Sequence, residues 1–168
     1  MYSQYAGLNV GSGQHYADGW FNTDIVPTDK GQQPDLLADI HDYSTIFPPK
    51  AFKKAYVGHV LEHIEWARLT DAIQNIAAVA EEVMVVGPCI DLARAREEPQ
   101  SLIDAIAAPE DIDAHPWAHK WTPTTGLTAE AITLAGFTPN VISVSEVRKP
   151  DWPNPTRAGW QCAMWFRP

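Results

Sequence analysis

Two glycines near the start of the chain are the first residues with the type and spacing of a binding site. Gly11 and Gly13 flank Ser12 after the apolar run GLNV. Glycines at the end of a strand allow positive φ and close approach of a ligand, and exposed backbone N–H groups there can hold an anionic group. An ordinary strand-ending turn explains the same residues, because a GxG pattern alone has low specificity.

Two acidic residues follow the next two apolar runs. Asp24, followed by Ile25, lies in FNTDIV, and Asp39, followed by Ile40, lies in LLADI. Asp24, at the end of the second strand, suits a bidentate hydrogen bond to ribose hydroxyls. Asp39 with Ile40 suits an adenine, because the pair offers an acceptor for the exocyclic amine and an aliphatic surface for the ring. Each acid alone is also explained as a turn residue or a helix cap.

Histidines supply the candidate acid–base groups. His59 and His63 flank Glu62 in YVGHVLEHI, and His119 lies in HPWAHKW. A neutral imidazole accepts protons near neutral pH, so His59, His63 and His119 are predicted catalytic residues. The structural alternatives are a packed, hydrogen-bonded ring for His63 and a helix-start acid for Glu62. The six histidines lack the paired spacing of metal ligands, so no metal site is predicted.

The elements that must position these residues alternate between strands and helices. Short apolar runs bounded by turn formers predict seven strands, at 7–13, 21–26, 36–40, 55–61, 83–88, 141–147 and 160–166. The run at 83–88 is typical of a strand covered on both faces, and the last two runs are expected to pair as an antiparallel hairpin. The order predicts an α/β fold with a mostly parallel sheet.

Two helices are predicted from different signals. Over 66–81 apolar positions recur at spacings of four, three and four residues, on one helical face. At 129–135 the signals are an N-cap, a hydrophobic staple and a terminal glycine. The residues that carry them are Thr128, the pair Leu127 and Ile132, and Gly136.

The same residues argue against a nicotinamide or flavin protein. Tyr16 stands where the third glycine of the dinucleotide fingerprint belongs, and no helix-length segment separates Gly13 from Asp24.

The motifs, taken in order, resemble class I S-adenosylmethionine-dependent methyltransferases. The matching runs are LNVGSG, GWFNTD, DLLADI, YVGHVLEHI, VMVVGP and a late helix ending in AGF before two final strands. They span nearly the whole chain and are most similar to small methyltransferases with a GxG…GWxNxD…LEH pattern. The resemblance implies a single domain over 1–168 with a Rossmann-like, seven-strand sheet of order 3-2-1-4-5-7-6. It also implies an antiparallel last strand and a reduced first helix.

The resemblance implies S-adenosylmethionine as cofactor and methyl transfer to an O or N nucleophile of an acceptor that the sequence does not identify. The implied donor site comprises Gly11, Ser12, Gly13, Asp24, Ile25, Asp39, Ile40 and His59. Two features depart from the family: Lys53 or Lys54 replaces an acid before the fourth strand, and AVAEEVMVV lacks the KPGG turn. The alternatives are an inactive S-adenosylmethionine-binding or partner-binding protein, and a subunit whose partner completes the site.

The stretch 88–127 is expected to be a loop-rich insertion over the sheet edge, with a helix near 101–108. Trp117, Trp121 and His119 are expected to shape an acceptor pocket there. The alternative is that both tryptophans fill the core beside the late helix.

Composition narrows the classes further. The net charge of −9, from 21 acids and 12 bases, argues against nucleic acid as a partner. No apolar run approaches the ~20 residues of a membrane span, and the first residues lack the features of a secretory signal. A cytoplasmic protein is therefore expected. The sequence leaves open whether the protein forms an oligomer. Cys89 and Cys162 lie in apolar runs and are predicted to be buried free thiols.

Overall fold

The centre of the structure is a seven-stranded sheet. A computed structural model describes residues 2–29, 31–107, 118–144, 147, 151–153 and 160–168. The strands are β1 (Leu8–Val10), β2 (Phe21–Asp24), β3 (Leu36–Leu37), β4 (Ala55–Gly58), β5 (Val83–Pro88), β6 (Asn140–Ile142) and β7 (Gln161–Phe166). Their order in the sheet is β3-β2-β1-β4-β5-β7-β6, as predicted.

Strand directions follow the prediction as well. β1 to β5 pair in parallel, and β7 runs antiparallel to both β5 and β6. All six residues of β5 are buried, as its apolar run predicted. Parallel strands place their carboxyl ends at one edge, so the segments after β1, β2 and β4 converge there.

Helices cover the sheet. They are α1 (Tyr43–Ile46), α2 (Trp66–Val79), α3 (Ile90–Ala95), α4 (Gln100–Ile106) and α5 (Thr125–Leu134), with 3₁₀ turns at Ile40–Asp42 and Leu61–His63. The predicted apolar face of α2 is buried, with Leu69, Ile73 and Ile76 each 1% exposed. Residues 11–20, between β1 and β2, contain no helix, which agrees with the reduced first helix.

Several element ends differ from the prediction, and the first two strands end earlier than predicted, at Val10 and Asp24. The third strand ends at Leu37, because Asp39 caps a 3₁₀ turn instead of extending the strand. The fourth strand ends at Gly58, because His59 has a φ of 57° and leaves the extended region. The sixth strand covers Asn140–Ile142 instead of 141–147, and 145–146 lie outside the described residues.

The start of α5 corrects the predicted cap. Thr124, not Thr128, is the N-cap, and its Oγ1 accepts a hydrogen bond of 3.0 Å from the Leu127 N–H. Leu127 therefore lies inside the first turn and cannot form the predicted staple. Thr128 is buried in the helix and donates its hydroxyl to the Thr124 carbonyl. The predicted end is confirmed, since Gly136 follows the helix with a φ of +96°.

The cysteine prediction is half right. Both residues are buried, but Cys89 and Cys162 are joined by a disulfide and are not free thiols. The sheet explains the pairing, because the antiparallel register sets Gly87 opposite Cys162 and brings the Cα atom of Cys89 to 5.9 Å. Two residues 73 positions apart in the sequence carry no signal of this proximity.

No helix in the described ranges is both long and apolar enough to cross a membrane.

Candidate functional site

A cavity of about 540 Å³ opens at the carboxyl ends of β1, β2 and β4. Every residue of the predicted donor site lines it: Gly11, Ser12, Gly13, Asp24, Ile25, Asp39, Ile40 and His59. Such a volume lies within the range of about 300–1,000 Å³ typical of small-molecule sites.

The glycine turn after β1 forms one wall of the cavity. Gly11 and Gly13 have φ values of +61° and +49°, a conformation that favours glycine. A Cβ at Gly11 would overlap the Val60 side chain, whereas a Cβ at Gly13 would meet no atom within 4 Å. Between them the Ser12 hydroxyl is buried and has no hydrogen-bond partner among the described residues. This wall therefore offers open space and an unsatisfied polar atom to a ligand.

Asp24 holds this turn to the end of β2. Its Oδ2 accepts a hydrogen bond of 2.7 Å from the Gly13 N–H, and its Oδ1 accepts bonds of 2.7 and 3.2 Å from the N–H groups of Ile25 and Val26. A carboxylate has about four acceptor positions, so three internal bonds leave it room for one more. The sequence did not predict this anchoring role.

Asp39 serves as a cap and also lines the cavity. Its Oδ1 accepts a hydrogen bond of 2.9 Å from the His41 N–H and so begins the 3₁₀ turn Ile40–Asp42. Ile40, directly after it, is buried in the main core. Both interpretations of Asp39 from the sequence, helix cap and site residue, are thus compatible with its position.

His59 has an unusual backbone for a residue other than glycine. Its φ of 57° lies in the left-handed region, and such conformations persist where surrounding contacts fix them. Here the Gln161 amide donates to Nε2 at 2.6 Å, and Nδ1 lies 3.3 Å from Glu62 Oε1. Both ring nitrogens therefore face protein groups.

His63 and His119 come together beside the cavity. Their ring centroids are 5.1 Å apart, and His63 lines the cavity wall. Burial lowers the pKa of His63, so its imidazole is neutral at pH 7. The buried side chain of Glu62 adjoins both rings, because one potential ligand atom from each of these three residues lies within 4.8 Å of the other two. The sequence excluded a metal site on spacing alone, and this grouping arises only in the fold.

Segment 118–121 lies against the 3₁₀ turn Leu61–His63. The Lys120 N–H donates to the Glu62 carbonyl at 2.7 Å, and Trp121 Nε1 donates to the Leu61 carbonyl at 3.1 Å. Trp121 packs edge-to-face on Trp66, with centroids 5.3 Å apart. Trp117, the other tryptophan predicted to shape the acceptor pocket, lies outside the described residues.

Several cavity residues were missed by the sequence analysis. They are His15, His41, Tyr43, Glu65, Arg68 and Lys120. Tyr43 is anchored by a 2.5 Å hydrogen bond between its hydroxyl and Thr23 Oγ1, and burial raises its pKa. Glu65 is the N-cap of α2, and Arg68 lies in the first turn of that helix. Their positions at a helix start carry no sequence signal for a binding site.

No family model and no curated protein matches the chain. Solved structures do match. A SAM-dependent methyltransferase from Archaeoglobus fulgidus has a TM-score of 0.61 and 13% identity, over 96% of this chain and 85% of that one. An S-adenosylmethionine-dependent methyltransferase from Mesorhizobium loti has a TM-score of 0.56 and 16% identity, over 96% of this chain and 90% of that one.

A third match was solved with ligands. The Burkholderia thailandensis 1,6-didemethyltoxoflavin-N1-methyltransferase, with bound 1,6-didemethyltoxoflavin and S-adenosylhomocysteine, has a TM-score of 0.53 and 15% identity, over 95% and 69% of the two chains. The chain described here therefore has the fold of the S-adenosylmethionine-dependent methyltransferases, as the order of its motifs predicted.

Proposed function

We propose that this protein binds S-adenosylmethionine and transfers its methyl group to an O or N nucleophile of an acceptor. The observation that carries the proposal is the cavity at the carboxyl ends of β1, β2 and β4, on a methyltransferase fold. The cavity combines a glycine turn, the carboxylates of Asp24 and Asp39 at strand ends, and an unsatisfied buried hydroxyl. These are the groups that a nucleoside bearing an amino acid requires.

Each wall of the cavity has a role in holding the cofactor. Gly11, Ser12 and Gly13 provide close backbone approach and the Ser12 hydroxyl. Asp24 accepts a hydrogen bond from a ribose hydroxyl while it holds the glycine turn. Ile25, 60% exposed, covers the sugar, and Asp39 with Ile40 receives the adenine.

In this proposal the acceptor binds beside His63, which lines the cavity wall formed by the turn after β4. When bound, S-adenosylmethionine supplies an electrophilic methyl group on a sulfonium. The chain's contribution is mainly to hold the nucleophile in line with that group, which can account for about 7–11 kcal/mol of a barrier. His63 is neutral at pH 7 and lies against His119. This pair of imidazoles is therefore suited to take the proton that the acceptor's nucleophile loses on methylation. His59 orients Glu62 and Gln161 at the same wall.

Calorimetry with S-adenosylmethionine and S-adenosylhomocysteine tests the proposal. We expect one cofactor per chain and tighter binding than of adenosine, because the amino-acid moiety adds contacts at the glycine turn. Absence of binding of both ligands at millimolar concentration would overturn it. Binding of both without transfer of a labelled methyl group to any O or N acceptor in fractionated cell extract would instead favour the inactive, cofactor-binding alternative.

A further inference from the structure

We propose that Glu62, His63 and His119 form a binding site for one Zn²⁺ ion at the wall of the cavity. The three residues come from two separate parts of the chain. Glu62 and His63 lie in the 3₁₀ turn after β4, and His119 lies in segment 118–121. One potential ligand atom from each is within 4.8 Å of the other two, so an ion can reach all three after small side-chain movements.

Both imidazoles have a hydrogen bond that fixes which nitrogen is available. His63 Nδ1 lies 3.4 Å from the Ala118 carbonyl oxygen, and His119 Nδ1 lies 2.8 Å from the Ile106 carbonyl oxygen. A carbonyl can only accept, so Nδ1 carries the proton in each ring and Nε2 keeps its lone pair. No described residue hydrogen-bonds either Nε2 atom. Metal-binding histidines generally show this arrangement, in which the second nitrogen donates to a carbonyl.

Glu62 supplies the anionic ligand. The residue is 2% exposed, and no group in the described ranges donates a hydrogen bond to its Oε1. Burial of a carboxylate is costly unless a cation or hydrogen-bond donors compensate it. His59 Nδ1 lies 3.3 Å from Oε1, and this contact does not meet the geometry of a hydrogen bond. A divalent cation between Glu62 and the two Nε2 atoms would provide the missing compensation.

Contacts between the two segments that carry the three ligands hold those ligands close together. The 3₁₀ turn is joined to segment 118–121 by the Lys120 N–H bond to the Glu62 carbonyl and by the Trp121 Nε1 bond to the Leu61 carbonyl. The Trp66–Trp121 contact supports the same junction from the side of α2. His119 is therefore held next to His63 by bonds that do not involve the proposed ligand atoms.

The ligand set favours zinc. Two imidazole nitrogens and one carboxylate oxygen match the three-ligand zinc sites that keep a fourth position open, whereas magnesium and calcium prefer all-oxygen sites. An ion here would act as a Lewis acid that lowers the pKa of the acceptor's nucleophile. This would replace the proton acceptance by His63 that is proposed for the metal-free protein, because Nε2 of His63 would then be a ligand. This role, but not the binding site itself, rests on the proposed function.

The test uses metal-free, untagged full-length protein and Zn²⁺ with a competing chromophoric chelator. We expect one Zn²⁺ per chain, and at least about a tenfold loss of affinity in each of the ligand variants His119→Gln and Glu62→Gln. His15→Gln, an exposed cavity histidine outside the cluster, is the matched control and should bind Zn²⁺ as the parent does. Absence of zinc binding by the parent, or undiminished binding by both ligand variants, would overturn the site.

A measurement on the parent protein covers the case in which the ligand variants do not fold. Diethylpyrocarbonate modifies free imidazole nitrogens, so saturating Zn²⁺ should protect His63 and His119 but not His15. Equal modification with and without Zn²⁺ would contradict the proposal. Calorimetry with S-adenosylhomocysteine on the metal-free protein separates the two ideas, because cofactor binding without zinc binding would remove only the zinc site.

Discussion

The backbone N–H of Lys120 donates a hydrogen bond of 2.7 Å to the carbonyl oxygen of Glu62. Together with the Trp121 Nε1 bond to the Leu61 carbonyl, this bond joins the turn after β4 to a segment more than 50 residues later in the chain. It brings His119 next to His63 and places the Lys120 side chain at the cavity. The acceptor end of the proposed site is thus assembled from two distant segments, whereas the donor end is built from consecutive strand ends.

The first prediction concerns Asp24. Asp24→Asn should weaken S-adenosylhomocysteine binding by about 1.5–3 kcal/mol, because a charged acceptor for the ribose hydroxyls is lost. Isothermal calorimetry measures the change, and the matched control is Asp18→Asn, an exposed aspartate away from the cavity. Unchanged affinity in a folded Asp24→Asn protein would disprove the ribose contact.

A glycine pair separates backbone strain from cofactor contact. Gly13 and Gly31 both have positive φ and no atom within 4 Å of an added Cβ, but only Gly13 lines the cavity. Gly13→Ala and Gly31→Ala should each lower the free energy of unfolding by about 1–2 kcal/mol, the cost of a left-handed alanine. Only Gly13→Ala should also weaken S-adenosylhomocysteine binding, measured by calorimetry. Equal affinity in the two variants would remove the glycine turn from the proposed donor site.

Trp121 tests the junction between segment 118–121 and the turn after β4. Trp121→Phe removes the Nε1 hydrogen bond and leaves the Leu61 carbonyl without that donor. We expect a loss of about 1–3 kcal/mol in the free energy of unfolding by urea. Trp66→Phe serves as the control, since it retains an aromatic ring at the same contact. Equal losses in both variants would show that ring packing, not the hydrogen bond, holds the segment.

The Cys89–Cys162 disulfide has a measurable consequence. Unreduced protein should have no titratable thiol after unfolding, and its intact mass should rise by the mass of two hydrogen atoms on reduction. A bridge between residues 73 positions apart should contribute about 4 kcal/mol to the free energy of unfolding, on the loop-entropy estimate. Urea unfolding with and without reductant measures that difference. Two titratable thiols in the unreduced protein would restore the prediction made from the sequence.

Buried tyrosines predict a loss of stability at alkaline pH. Burial raises the pKa of Tyr56 and of Tyr43 above the value of about 10 for the unfolded chain. The folded state then holds protons that the unfolded state releases, so this contribution is complete below pH 10 and is lost as the pH rises further. The free energy of unfolding should fall by up to about 1.4 kcal/mol per pH unit for each tyrosine. Tyr56→Phe should make the free energy of unfolding, measured by urea titration, fall less steeply above pH 10. An unchanged slope would show that Tyr56 is not a source of the alkaline loss of stability.

The sheet could be predicted because its signals are local. Each strand is a short apolar run, and the motif order resembles a family whose sheet order is fixed. The donor residues share that advantage: Gly13, Asp24 and Asp39 follow three successive strands, and parallel strands end at one edge.

The missed features depend on contacts between distant residues. The cluster of Glu62, His63 and His119 needs segment 118–121 to lie against the turn after β4, and no periodicity encodes that contact. The disulfide depends in the same way on the register of β5 and β7. The α5 cap was wrong for a local reason, because Thr124 and Thr128 both suit an N-cap and the helix begins at the earlier one.

The two strands at the edges of the sheet are short. β3 has two residues and β6 has three, and their exposed side chains include Leu37 and Val141. An uncovered edge strand offers unpaired N–H and carbonyl groups to a strand of another molecule, and the risk of aggregation grows with the length of the edge strand. Edge strands this short offer few such groups, so the apolar strands at the centre are protected from edge-to-edge aggregation. The sequence predicts a longer strand, over 141–147, than the three residues of β6. Substitutions that lengthen β6 over that range should make the protein prone to fibrous self-association.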